Sequence, residues 1–107
     1  MSKLYFHVFI LAFISCFIAE AQVKVSGIIT KNNSPEPISN VHIIYGNSEG
    51  TFTDIDGYFE LNLAKGTYDL SFKHLSFKTY VLEGLSTLEG KSLKLSIGLN
   101  LAQNNHL

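Results

Sequence analysis

The sequence predicts an all-β fold, a seven-stranded antiparallel β-sandwich, and three observations predict it. Apolar residues recur at every second position in several short segments, the period of a strand buried on one face. Glycine, asparagine, aspartate and proline collect between those segments at intervals of about 8 to 12 residues, the spacing of a sandwich or small barrel of the immunoglobulin-like size class. No segment carries a convincing helical period.

Residues 1–21 stand apart from that pattern. Lys3 precedes an almost unbroken apolar run from Leu4 to Ile18, and Ala19-Glu20-Ala21 places small residues at the two positions that a signal peptidase reads. This is the pattern of a secretory signal cut before Gln22. The run is short for a membrane span, which needs about 20 residues, and no basic stop-transfer cluster follows. Ile14-Ser15-Cys16 also faintly resembles a lipoprotein signal, but Phe13 stands where leucine is usual and the residues after Cys16 stay apolar. Cleavage removes the only cysteine, so no disulfide forms and the remaining domain depends on its apolar core. The chain has eight basic and nine acidic residues and a net charge of -1. Nucleic acid, which requires clustered basic charge, is not an expected partner.

Residues 22–101 read as one domain. Val23 to Lys31 is rich in β-branched residues and forms the first strand, with Gly27 interrupting the alternation as a candidate bulge. Asn32 to Pro37 holds both prolines and forms an exposed loop. Val41 to Tyr45 is the second strand, closed by Gly46-Asn47-Ser48-Glu49-Gly50. A hairpin then centres on Asp56 and Gly57, because Asp-Gly between alternating apolar residues is a strong reversal signal. After it, Phe59, Leu61 and Leu63 share the core face, and an even loop places Phe52 on that face as well. Ala64-Lys65-Gly66 suits a second, three-residue hairpin loop into Thr67–His74, where Tyr68, Leu70 and Phe72 face inward. Phe77 to Leu82 forms a further strand and Glu83 to Lys91 a loop, with Leu85 and Leu88 placed to pack on the end of the sandwich. Leu93, Leu95, Ile97, Leu99 and Leu101 alternate with Lys94, Ser96, Gly98 and Asn100 in a closing strand. Residues 102–107 are a tail or the start of a linker.

Four stretches in order carry a family resemblance: Lys24-Val25-Ser26-Gly27-Ile28-Ile29-Thr30, Pro37-Ile38-Ser39-Asn40-Val41-His42-Ile43, Gly50-Thr51-Phe52-Thr53-Asp54-Ile55-Asp56-Gly57-Tyr58-Phe59-Glu60-Leu61 and Gly66-Thr67-Tyr68-Asp69-Leu70-Ser71-Phe72. They resemble the motifs of the carboxypeptidase regulatory-like domain family over about Val23 to Leu82. The resemblance implies a transthyretin-like, carbohydrate-binding-like sandwich without catalysis, since the peptidase name belongs to a neighbouring domain in other proteins. His74-Leu75-Ser76-Phe77 departs from the family, with Ser76 in place of a glycine. Together with the leader, the chain resembles the N-terminal extension of TonB-dependent outer-membrane receptors, in which the sandwich precedes plug and barrel. This implies an exported chain, in the periplasm at the outer membrane or secreted, and either a truncated receptor or a free-standing module. A barrel needs many strands, so this chain is no transporter by itself and has no membrane span of its own after cleavage. The implied partner is another protein or the remainder of a receptor, with a glycan as the second reading.

No residue is assigned a catalytic, cofactor-binding or metal-ligating role. Asp54-x-Asp56-Gly57 invites a calcium reading, but a calcium loop counted from Asp54 places Phe59 where glycine is required and Lys65 where a bidentate glutamate belongs. Asp54, Asp56 and Gly57 are therefore read as turn-forming. His42, His74 and His106 lack zinc spacing, and His7 lies in the leader. Ser71 and His74, three apart on a strand, point to opposite faces and make no nucleophile–base pair. Tyr45, Tyr58 and Tyr80 are the candidates for a sugar-stacking platform. Tyrosines clustered on one face would favour a glycan, and a polar sheet face beside an open strand edge would favour a protein.

Overall fold

The computed structural model describes residues 21–102, so the leader up to Glu20, Cys16, His7, His106 and the end of the tail lie outside the described residues. Seven strands follow one another: β1 (Gln22–Lys31), β2 (His42–Tyr45), β3 (Glu49–Phe52), β4 (Tyr58–Ala64), β5 (Thr67–His74), β6 (Phe77–Ser86) and β7 (Leu93–Leu99). They form a three-stranded sheet in the order β4-β1-β7 and a four-stranded sheet in the order β3-β2-β5-β6. Val23, Val25 and Ile29 of β1 and Phe59, Leu61 and Leu63 of β4 point into the space between the sheets and meet Ile43, Leu70 and Phe72 from the other side. Phe59 and Phe72 touch edge to face across that space, ring centres 6.0 Å apart.

One pair departs from the antiparallel expectation, because β1 and β7 run parallel, with Gly27 opposite Leu95. Every connection reverses the chain, so the first and seventh strands point the same way when they lie side by side. Gly27 sits in unbroken register on both sides and is no bulge. A Cβ there would strike the Leu95 carbonyl and lie 2.8 Å from the Phe59 ring, so the glycine admits the aromatic ring that the core needs.

Further expectations are corrected. The turn at Asp56 and Gly57 is not a hairpin but a corner: β3 pairs with β2, β4 pairs with β1, and the strands on its two sides lie in different sheets. The dipeptide specifies reversal, whereas the partner is chosen by seven residue pairs between β1 and β4. Phe52 consequently faces outward, 58% exposed and stacked on His42 at 4.3 Å, and Thr53 takes the inward place. Ala64-Lys65-Gly66 is likewise a crossing between sheets. β6 extends through Ser86, beyond the expected Leu82, because Gly84 at φ +71° forms a bulge, its N–H donating to Asp69 Oδ1, and does not end the strand. Leu88 is exposed, and Thr87 is the buried residue at that end.

Both corners are tied by a buried threonine. The Thr53 hydroxyl donates to the Ile38 carbonyl at 2.7 Å and accepts from the Val41 N–H at 2.9 Å. The Thr87 hydroxyl accepts from the Gly66 N–H at 2.9 Å and donates towards the Ala64 carbonyl at 3.0 Å. Thr53→Val should cost about 2–4 kcal/mol in chemical denaturation, since it leaves two buried backbone groups unpaired, while Thr53→Ser should lose less than about 1.5 kcal/mol; equal losses would show that the methyl group, not the hydroxyl, does the holding.

Gly57 has φ +75°, and a Cβ on it would lie 2.5 Å from the Ile29 carbonyl oxygen and 3.1 Å from Pro37 Cβ. Gly57→Val should therefore destabilise by about 2 kcal/mol or more. Gly66→Ala, where the nearest atom is 3.5 Å away, serves as the mild comparison. Denaturation midpoints that move equally for the two variants would contradict this placement of the turn.

Candidate functional site

The corner residues singled out from the sequence have defined places. Asp54 Oδ1 accepts the N–H groups of Asp56 at 2.9 Å and Tyr58 at 3.0 Å, and the Gly57 N–H donates to the Asp54 carbonyl at 2.9 Å. Asp54 and Asp56 are exposed and Gly57 is buried against β1, where the Ile29 N–H donates to its carbonyl at 2.8 Å. One carboxylate oxygen of Asp54 is thus committed to closing the turn. Among the described residues, no group of three or more His, Cys, Asp or Glu side chains is placed to hold a metal ion.

The structure brings the two described histidines to separate sites. His42 stacks on Phe52, and His74 Nδ1 accepts the Ser76 N–H at 3.0 Å while its ring meets Phe77 edge to face at 5.3 Å. His74 is thereby turned into the β5–β6 turn, where Ser76 uses its backbone amide, and Ser71 sits within the sheet opposite Val81. The tyrosines are also divided. Tyr45 is half-buried against Tyr68, Tyr58 (38% exposed) lies on the outer face of the β4-β1-β7 sheet, and Tyr80 (41% exposed) lies on the other sheet.

Three surfaces among the described residues stand out. On the outer face of the β4-β1-β7 sheet, a shallow trough of about 450 Å³ runs over Ser26 and Ile28 between Tyr58, Lys24 and Lys94. It is short of charge to spare, because Lys24 Nζ lies 3.0 Å from Glu60 Oε1 and the Tyr58 hydroxyl donates to Glu60 Oε2 at 3.4 Å. At one end of the sandwich, a hollow of about 320 Å³ opens between the proline loop and the β5–β6 turn, beside His74 and Phe77.

The third surface is the side bounded by β6 and β7. On the opposite side, the inward residues of β4 are sealed, with Phe59, Leu61 and Leu63 at most 4% exposed. Along β6 and β7, Leu82, Leu85, Leu93, Leu95 and Ile97 pack on the core but stay half-exposed. β6 is an edge strand of ten residues, and Tyr80 and Val81 at its centre are 41% and 45% exposed. Among the described residues, only the start of its outer edge is covered: Leu101 bridges to Phe77, the Lys78 N–H donates to the Asn100 carbonyl at 2.8 Å, and the Ala102 N–H donates to the Ser76 carbonyl at 3.0 Å. Sequence reading missed this edge because Gly84 looks like a loop signal, and the apolar residues on both faces of Thr79-Tyr80-Val81-Leu82 were the one available sign.

The hydrogen bond and charge of Glu60, with a smaller contribution from Tyr58, hold the Lys24 ammonium above its ordinary pKa. A pKa raised by folding stabilises the fold below the unfolded value and is lost as the pH rises through the folded one, so the pair acts at neutral pH and fails in alkali. Glu60→Gln should lower the Lys24 pKa in an NMR titration and leave the fold intact, the pair being exposed; an unchanged titration would mean that the pair does not form in solution.

The chain matches the family model described as the CarboxypepD_reg-like domain over residues 25–106. No curated protein matches it. Two solved structures of a type II cohesin–X-dockerin complex from Acetivibrio cellulolyticus, a C-terminal and an N-terminal interface mutant, contain a chain similar at 22% identity, with TM-scores of 0.60 and 0.61, over 74% of this chain and 56% of theirs. A DUF3823 family protein from Parabacteroides merdae ATCC 43184 is similar at 13% identity and a TM-score of 0.54, over 78% of this chain and 47% of its own. The chain spans about half the length of these solved chains, and the likeness is one of fold. The motifs of β1, of the Thr53–Phe59 corner and of β5 fall inside the matched span, and the chain belongs to the carboxypeptidase regulatory-like domain family.

Proposed function

We propose that this chain is a non-catalytic, extra-cytoplasmic accessory domain that works by binding another protein, in the manner of the periplasmic N-terminal domain of a TonB-dependent outer-membrane receptor. The observation that carries the reading is the open side of the sandwich, where a ten-residue edge strand and a half-exposed apolar seam stand next to each other. A sheet edge offers backbone donors and acceptors to an extended partner, and the seam offers pockets for its alternate side chains. Support also comes from the polar groups, which serve structure: Asp54, Thr53, Thr87 and His74 all bond to backbone amides nearby. Two of the structural neighbours are protein–protein complexes. The signal-like residues 1–21 support export to the periplasm.

The second reading, a free-standing secreted glycan-binding module, draws on the trough beside Tyr58 and Ile28. The division of the exposed tyrosines between two sheets weighs against it.

The test is in-cell cross-linking with a photoreactive amino acid placed either at Val81 on β6 or at Asn62 on the outer face of β4. The chain should be recovered outside the cytoplasm with Gln22 as its first residue, and covalent protein adducts should form from position 81 and not from position 62. An uncleaved cytoplasmic chain would overturn the export, and adducts from neither position would overturn the protein-binding role.

A further inference from the structure

We propose that the β6 edge joins a second copy of this chain, forming a two-fold symmetric dimer with one continuous sheet. The inference rests on the open-edge reading above and names the occupant. The exposed centre of β6, Thr79-Tyr80-Val81-Leu82, contains no charge and no proline, and it is bounded by Lys78 at one end and Glu83 at the other. Opposite charges at opposite ends make the window complementary to itself when reversed. An antiparallel match of two such edges about an axis through Val81 sets Val81 against Val81 and Tyr80 against Leu82, and turns Thr79, in the first bulge, towards Glu83 in the second bulge of the other copy. Lys78 then comes beside that same carboxylate. In such a closed pairing the same patch serves both subunits.

The faces agree with this register. Tyr80 and Leu82 pair with the inward residues Phe72 and Leu70, so both point to the core side, and the Tyr80 ring already lies 5.9 Å from Phe72. A two-fold axis perpendicular to the sheet keeps the two β4-β1-β7 sheets on one side. The two β7 strands then face each other, and the half-exposed Leu93, Leu95 and Ile97 of each copy are covered along with Leu82. The same contact therefore accounts for both the bare edge and the bare seam.

The pairing is limited in length. Register shifts between Tyr68 and Leu70 and between Phe72 and His74 place an extra β6 residue at each end of the window. Such bulges twist an edge away from a neighbour and stop a ladder from extending. At the far edge of the same sheet, β3 is only four residues long. A closed dimer follows, not a fibre.

The purified chain should show a concentration-dependent dimer by light scattering and sedimentation. Val81→Lys places two ammonium groups face to face on the axis and should yield a monomer with unchanged circular dichroism and a thermal midpoint that no longer rises with protein concentration, whereas Asn62→Lys should leave the dimer intact. Lys78→Glu and Glu83→Lys should each weaken association by about fivefold, and the double reversal should restore it. A chain that stays monomeric up to about 1 mM, or a dimer indifferent to Val81→Lys, would overturn the proposal. The cross-linking experiment separates that failure from failure of the protein-binding role: adducts from position 81 with a mass other than twice that of the chain would sink the dimer and keep the interaction domain.

Discussion

The contact of Phe59 with Phe72 is the constraint on which the other features depend, because it spaces the two sheets and decides which residues may face inward. Admitting the Phe59 ring requires a glycine opposite it, and Gly27 is that residue. Keeping Phe59 in the three-stranded sheet requires β4 to leave β3 at the corner, and Thr53 then enters the core in place of Phe52. A hydroxyl in that position needs partners, and it finds them in the backbone of Ile38 and Val41. The Thr53-Asp54-x-Asp56-Gly57-x-Phe59 motif is thus one device: an inward tie, a carboxylate that closes the turn, a glycine that accepts the reversal against β1, and a ring that anchors the core.

Much of this is legible in the residues, and the remainder fails for a definite reason. The alternation of Tyr68, Leu70 and Phe72 marks β5, the prolines mark the exposed loop after β1, and the β-branched run marks β1 itself, because burial on one face leaves a period of two in the sequence. Pairing leaves no such trace. Asp56-Gly57 specifies that the chain turns, and the choice between a hairpin and a corner belongs to contacts with β1 that lie far away in sequence. Gly84 shows the same difficulty: a glycine at positive φ serves equally in a loop and in a bulge, and the Asp69 carboxylate that holds the bulge is fifteen residues away.

At the candidate sites, spacing argues against a zinc or calcium loop, and which partners the side chains take is visible in the fold alone: the Asp54 carboxylate and the His74 imidazole engage backbone amides. The open side is invisible to the same reasoning, since Leu82, Leu85, Leu93, Leu95 and Ile97 read as ordinary core residues from their alternation. Their half-exposure follows from three-dimensional closure: one side of the sandwich is shut by the Asp54–Gly57 corner, whereas among the described residues the other is closed at its two ends, where Leu101 meets Phe77 and where Thr87 bonds to Gly66. The two sides of the domain therefore differ in how much apolar side chain they leave exposed.

The central claim is that the Asp54–Gly57 corner sends β3 and β4 into different sheets, with β1 held between β4 and β7. Interstrand nuclear Overhauser contacts in the folded chain test it most directly. The account predicts contacts between Gly27 and Leu95 in a parallel pattern and between Ser26 and Glu60 in an antiparallel one, with none joining Phe52 to Phe59. Side-by-side contacts between β3 and β4, in the manner of a hairpin, would contradict it.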